Sequence, residues 1–126
     1  MSARLDTHIA VRLAEGNLDK LSPAALQTVA ATDLLLSPMV LVELEYLFEL
    51  NKIRLPADDV RSKLEFELGV HVCQFSFQPI ADVASREKWT RDPFDRIIVA
   101  HARANEISSL ISADRLIRQN YPRTVW

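Results

Sequence analysis

The residues most able to do chemistry in this chain are acids set among apolar neighbours. The segment "VELEYLFEL", residues 42–50, holds three glutamates. Turned as a helix at about 100° per residue, Glu43 lies within about 60° of Met39, Val40, Tyr46, Leu47 and Leu50. Glu45 and Glu49 point about 120° to 160° away, toward Lys52 and solvent, where Glu49 and Lys52 can pair. A carboxylate inside an apolar stripe is costly unless a cation, a hydrogen-bond network or a raised pKa offsets the burial. Three further acids occupy comparable places. Asp6 closes the apolar end of "SARLD", Asp114 closes "SLISAD", and Asp95 lies just inside the helical pattern "FDRIIVAHA". Asp6 and Asp114 are also good helix N-caps, worth about 1 kcal/mol each. Asp92, directly before Pro93, reads mainly as a cap. Capping explains little for Asp95. Carboxylates that converge repel one another unless a cation joins them, and oxygen-only ligands suit Mg²⁺ or Mn²⁺.

Positioning these acids requires alternating elements. A very short strand at "ARLD" leads into a helix from Thr7 to about Glu15. Ser22 caps a helix with Pro23 at its first position. "DLLLS" reads as a buried strand, and a helix follows Pro38 to about Asn51. Residues 56–68 form a charged helix that Gly69 ends. "VHVCQF" is the next strand, and "PIADVASR" a short helix. After the loop "EKWTRDP" come a strong helix at "FDRIIVAHARAN", a strand at "SSLISA", a helix at "DRLIRQNY" and a possible last strand at "TVW". Strands alternating with helices imply right-handed crossovers and a mainly parallel sheet. In such sheets ligands bind beyond the carboxyl ends of the strands, where Asp6, Glu43, Asp95 and Asp114 all fall.

Composition bounds the alternatives. With 126 residues, 48% hydrophobic and 25% charged, the chain has the size and balance of one domain spanning 1–126. Cys73 is the only cysteine, so no internal disulfide is expected and a reduced cytoplasmic setting fits best. No signal sequence is apparent, and Pro38 breaks the most apolar run, so no membrane span is expected. The net charge is −2, divided between −5 over residues 1–85 and +3 over residues 86–126. Three scattered histidines and one cysteine give no zinc spacing, and two isolated glycines give no nucleotide-binding loop. An aspartyl phosphatase would want a second acid two residues beyond Asp6, which "LDTH" lacks. A receiver domain would want a late lysine, and the last 38 residues contain none.

Taken together, "LDTH", "SPMVLVELEYL", "RDPFDRIIVAHA" and "ISADRLI" resemble the PIN domain, and "DPFDR" resembles the VapC toxins of bacterial toxin–antitoxin pairs. The resemblance covers essentially the whole chain, with the motifs in the family's order. It implies a PIN-like α/β/α sandwich with a mainly parallel central sheet. It also implies a metal-dependent endoribonuclease whose acidic quartet would be Asp6, Glu43, Asp95 and Asp114, holding Mg²⁺ or Mn²⁺ and leaving a 3′-hydroxyl and a 5′-phosphate. Thr7 and Ser112 fall where the family has small hydroxyl residues beside the acids. Arg91, Arg96, Arg115 and Arg118 lie near the acids in sequence and are candidates for RNA contact. The resemblance further implies an RNA substrate, a cognate antitoxin protein, and a homodimer, with residues 40–68 offering apolar and charged helix surface. A reading of a different class is a catalytically silent PIN-like fold kept for binding or scaffolding.

Overall fold

The computed structural model describes residues 1–104 and 107–126. Five strands are formed by Ser2–Leu5 (β1), Asp33–Leu36 (β2), His71–Val72 (β3), Ser109–Ile111 (β4) and Thr124–Val125 (β5). Seven α-helices span Thr7–Ala14 (α1), Pro23–Ala31 (α2), Pro38–Glu49 (α3), Ala57–Leu68 (α4), Phe77–Ala84 (α5), Pro93–Ala104 (α6) and Arg115–Asn120 (α7). A 3₁₀ turn at Leu18–Lys20 links α1 to α2, an element the sequence pattern does not announce. The sheet order is β3-β2-β1-β4-β5, and every pairing is parallel. Right-handed crossovers then place α1 to α4 on one face and α5 to α7 on the other, the expected α/β/α sandwich.

Local chemistry explains where the strands turn into helices. β1, β2 and β4 each run into a residue whose side chain caps the next helix. Asp6 accepts from Ile9 N–H at 2.9 Å, Ser37 from Met39 N–H at 3.2 Å, and Asp114 from Ile117 N–H at 3.0 Å. Ser22 caps α2 ahead of Pro23, as the sequence predicts. Gly69 ends α4 in the left-handed region at φ 65°, which favours glycine. Each of these caps stabilises its helix by about 1 kcal/mol and fixes where the chain leaves the sheet.

The core fills both faces of the sheet. Ala3, Leu5, Leu34, Leu36, Leu110 and Ile111 from the strands form one buried cluster with Ile9, Val40, Leu44 and Leu64 from α1, α3 and α4 and with Ile98, Val99 and Ile117 from α6 and α7. β1 is central although its first residues are polar. Arg4 turns inward and is buried, with Nε donating to Ser108 Oγ at 3.2 Å and Nη2 to Cys73 Sγ at 3.6 Å.

Four expectations are corrected. The strand anticipated at "VHVCQF" is only two residues long: it is an edge strand, and Phe75 and Phe77 turn outward. Cys73 N–H still donates to Leu36 O at 2.8 Å, extending the pairing by one bond. The short helix begins at Phe77 and ends at Ala84, two residues earlier at each end than the pattern suggested. On α3 the buried residues are Val40, Glu43, Leu44 and Leu47, whereas Tyr46 and Leu50 are 48% and 46% exposed. Glu43 therefore sits at the edge of the apolar stripe, not at its middle. Glu45 is exposed as expected, but its Oε1 accepts from Ala57 N–H at 3.1 Å and so ties the start of α4. Among the described residues the ion pairs are Glu15–Arg54 and Glu87–Arg103, so Glu49 and Lys52 do not pair. Asn105, the end of the anticipated "FDRIIVAHARAN" helix, lies outside the described residues.

Candidate active site

The carboxyl edge of the sheet gathers the acids through three short connections. Asp6 follows β1 directly, and Oδ1 is taken by the α1 cap, which turns Oδ2 toward β4. There Ser112 Oγ donates to Asp6 Oδ2 in a very short hydrogen bond. The same Oγ accepts from Asp114 N–H at 3.1 Å, so one hydroxyl links the ends of β1 and β4. Asp114 itself is exposed at the rim. Glu43, in the second turn of α3, leans across to α1, where Thr7 Oγ1 donates to its Oε1 at 2.5 Å.

α6 completes the edge. Asp92 caps this helix, its Oδ1 accepting from Phe94 N–H at 2.8 Å and Asp95 N–H at 3.3 Å. Asp95 follows in the first turn. α3 packs against α6, and Tyr46 and Phe94 meet with ring centroids 5.6 Å apart at an interplanar angle of 36°. That contact joins the two helices that carry Glu43 and Asp95.

Electrostatics shows how closely the acids sense one another. Burial pushes the Asp6 carboxyl up, opposed by the hydrogen bonds from Ser112 and Ile9. Glu43 is raised by burial, opposed by Thr7, with Asp92 and Asp6 raising it further. Asp95 is raised to about 7, first by burial, then by the charges of Asp92, Asp114, Glu43 and Asp6. Five acids therefore share one field. The arrangement is open, however: among the described residues no three His, Cys, Asp or Glu side chains stand close enough to form a ready cage for a metal ion. Asp6 and Glu43 turn toward the Ser112 and Thr7 hydroxyls, whose hydrogen bonds offset part of the rise that burial imposes. The donor chemistry still fits a hard cation, since all the ligands on offer are carboxylate oxygens, and a cation would offset the repulsion that Asp95 shares with its neighbours, as protonation does without one.

A model of the PIN domain matches residues 4–121 of the chain. The chain belongs to the PIN domain family. A solved structure titled as the crystal structure of VapBC2 from Rickettsia felis bound to a DNA fragment from their promoter is similar in fold. Its TM-score is 0.61, at 19% identity over 100% of both chains. None of the curated proteins compared with the chain matches it.

Other residues of this PIN domain are placed less simply. Arg96, half-buried, is committed to the preceding loop, with Nε donating to Thr90 O at 2.8 Å. Arg91 is exposed in that loop. Arg115 and Arg118 line a cavity of about 530 Å³ with Trp126 at the far end of the chain. His8 is exposed on α1 and lies near enough to lower both Asp6 and Glu43 by its charge. No spacing in the sequence signals that role. The Tyr46–Phe94 pair was likewise hidden, because the two residues stand 48 positions apart in the chain.

Proposed function

We propose that this PIN domain is a Mg²⁺- or Mn²⁺-dependent endoribonuclease, the toxin of a VapC-type toxin–antitoxin pair. The observation that carries the reading is that a chain of the PIN domain family gathers Asp6, Glu43, Asp92, Asp95 and Asp114 from four helix starts at the carboxyl edge of its sheet, near enough to raise the Asp95 carboxyl together with its burial. Such a cluster is destabilising in a fold that has no use for a cation. Asp6, Glu43, Asp95 and Asp114 would hold the metal. When bound, the metal polarises the scissile phosphate, acidifies a water and offsets charge on the leaving oxygen. Ser112 orients Asp6 and Thr7 orients Glu43, each through its hydroxyl. Asp92 fixes the start of α6 and adds negative field.

A cognate antitoxin and a second copy of this chain are the proposed protein partners. Val42, Tyr46 and Leu50 present an exposed apolar line along α3, and Phe66 is 91% exposed on α4, within the segment expected to serve them.

The test compares RNA cleavage by wild type and Asp6→Asn, each with Mg²⁺ and with a chelator. Cleavage by wild type with Mg²⁺ alone is expected. Equal activity in all four conditions overturns the reading. A second reading is a silent binding module. Millimolar Mn²⁺ separates the two: a rise in melting temperature that Glu43→Gln abolishes belongs to a metal site, and no rise belongs to the module.

A further inference from the structure

We propose that the groove between α1 and the α3–α4 connection is a phosphate-binding track for single-stranded RNA leading away from the acids; this rests on the ribonuclease reading. A cavity of about 340 Å³ is walled by His8, Arg12, Glu15, Lys20, Lys52 and Arg54, among others. A second, of about 220 Å³, shares Glu15, Asn17 and Arg54 with the first and adds Lys63. The two cavities adjoin across these shared walls, where Arg54 lies 3.8 Å from Glu15, and together they outline a groove. It begins at His8, whose charge reaches Asp6 and Glu43, and it ends on α4.

The sign of the groove is what marks it. Residues 1–85 carry a net charge of −5. Yet this groove collects Arg12, Lys20, Lys52, Arg54 and Lys63 against Glu15 as its only acid. Five cations from four segments, of which Arg54 is paired with Glu15 at 3.8 Å, converge where the surrounding half of the chain is negative, and the excess of positive charge suits a polyanion. The spacing is also held in place. Asn51 adopts the left-handed region at φ 59°, and Lys52 N–H donates to Leu47 O at 2.9 Å, which turns Lys52–Arg54 back along α1. Arg12 donates to Lys20 O at 3.2 Å and lies 5.7 Å from the centroid of the Trp126 ring. Phosphates threaded here would sit beside the carboxylates without facing them, which keeps substrate and acids from repelling one another.

The test uses the full chain with Asp95→Asn to prevent cleavage, a fluorescein-labelled single-stranded RNA, a chelator, and a series of KCl concentrations. Adding Lys52→Gln and Arg54→Gln is expected to weaken binding about tenfold at 0.1 M salt. It should also flatten the slope of log K against log salt by roughly 1.4, about 0.7 per lost contact. Glu15→Gln is expected to tighten binding several-fold, a gain that misfolding cannot produce. Unchanged affinity and slope in both variants overturn the track. So does a double variant that still binds RNA but loses an acidic peptide, which would assign the groove to a protein partner. Wild type that cuts RNA while the variants bind unchanged leaves the nuclease reading standing without the track. Wild type that neither binds nor cuts RNA removes both.

Discussion

Thr7 Oγ1 donates to Glu43 Oε1 at 2.5 Å, joining the first residue of α1 to the second turn of α3 across 36 residues of sequence. This bond opposes the rise that burial imposes on Glu43. Thr7→Val keeps the shape and removes the donor. The variant should be less stable by about 1–2 kcal/mol, because the buried acceptor loses its partner. The Mn²⁺ concentration giving half of the thermal shift should rise 10- to 100-fold, as expected when a residue orienting a ligand is lost. Thr7→Ser should restore both. If Thr7→Val binds Mn²⁺ like wild type, Glu43 is not oriented by this hydroxyl.

Asp95 predicts a gain of stability from loss of a charge. At pH 8 without divalent metal its carboxylate is half-buried among four other acids. Asp95→Asn should then melt above wild type, with a stabilisation of about 2 kcal/mol after allowance for solvent screening. Adding Mn²⁺ should reverse the order, raising wild type and leaving the variant nearly unmoved. Differential scanning calorimetry with and without Mn²⁺ decides it. A variant that melts below wild type in chelator would show that the acids do not strain the fold.

His101 supplies the pH dependence. It is buried on α6 with Nδ1 2.9 Å from Ser37 Oγ, and its Nε2 has no hydrogen-bond partner among the described residues. Burial, then the charge of Arg4, lowers it from 6.5 to about 4. For a base whose folded value is lowered, the unfolded chain takes the proton more readily. The contribution is therefore full above pH 6.5 and is lost as pH falls toward 4. The acids around Asp95 trend the other way, so the readout is the difference between variant and wild type. His101→Gln should be destabilising at pH 7.5, with the deficit shrinking by about 2 kcal/mol at pH 4.5. Urea melts at the two pH values measure it, and a constant deficit would contradict the buried neutral ring.

What the sequence made legible was local. Asp6, Ser22, Asp114 and Gly69 mark helix ends through bonds within three residues or through backbone conformation, and alternating elements imply the parallel sheet. The burial of Glu43 also follows from period. Its place in the stripe does not, because period gives a direction but not the neighbour that direction meets. α3 buries Val40, Leu44 and Leu47, and the Tyr46 side is left to the cleft. Contacts across long separations left no trace in the pattern. Ser112 meets Asp6 over 106 residues, and the groove cations come from four segments that look unrelated on paper. The sequence drew attention to arginines near the acids in order, yet Arg96 is spent on a loop carbonyl.

The turn after α3 carries the last prediction. Asn51 holds φ 59°, where a side chain crowds its own backbone and asparagine is tolerated better than most residues. Its N–H donates to Phe48 O at 2.9 Å, so the turn is both strained and bonded. Asn51→Gly removes the crowding but gives the unfolded chain more freedom, and the two effects should nearly cancel. Asn51→Val adds a branched side chain exactly where it fits worst, and should destabilise by about 1–2 kcal/mol. That is a fall of roughly 4 to 8 °C in melting temperature for a domain of this size. Thermal melts of the two variants beside wild type test the pair. A valine variant as stable as the glycine variant would mean the chain leaves α3 by another route, and Lys52 and Arg54 would not be held along α1.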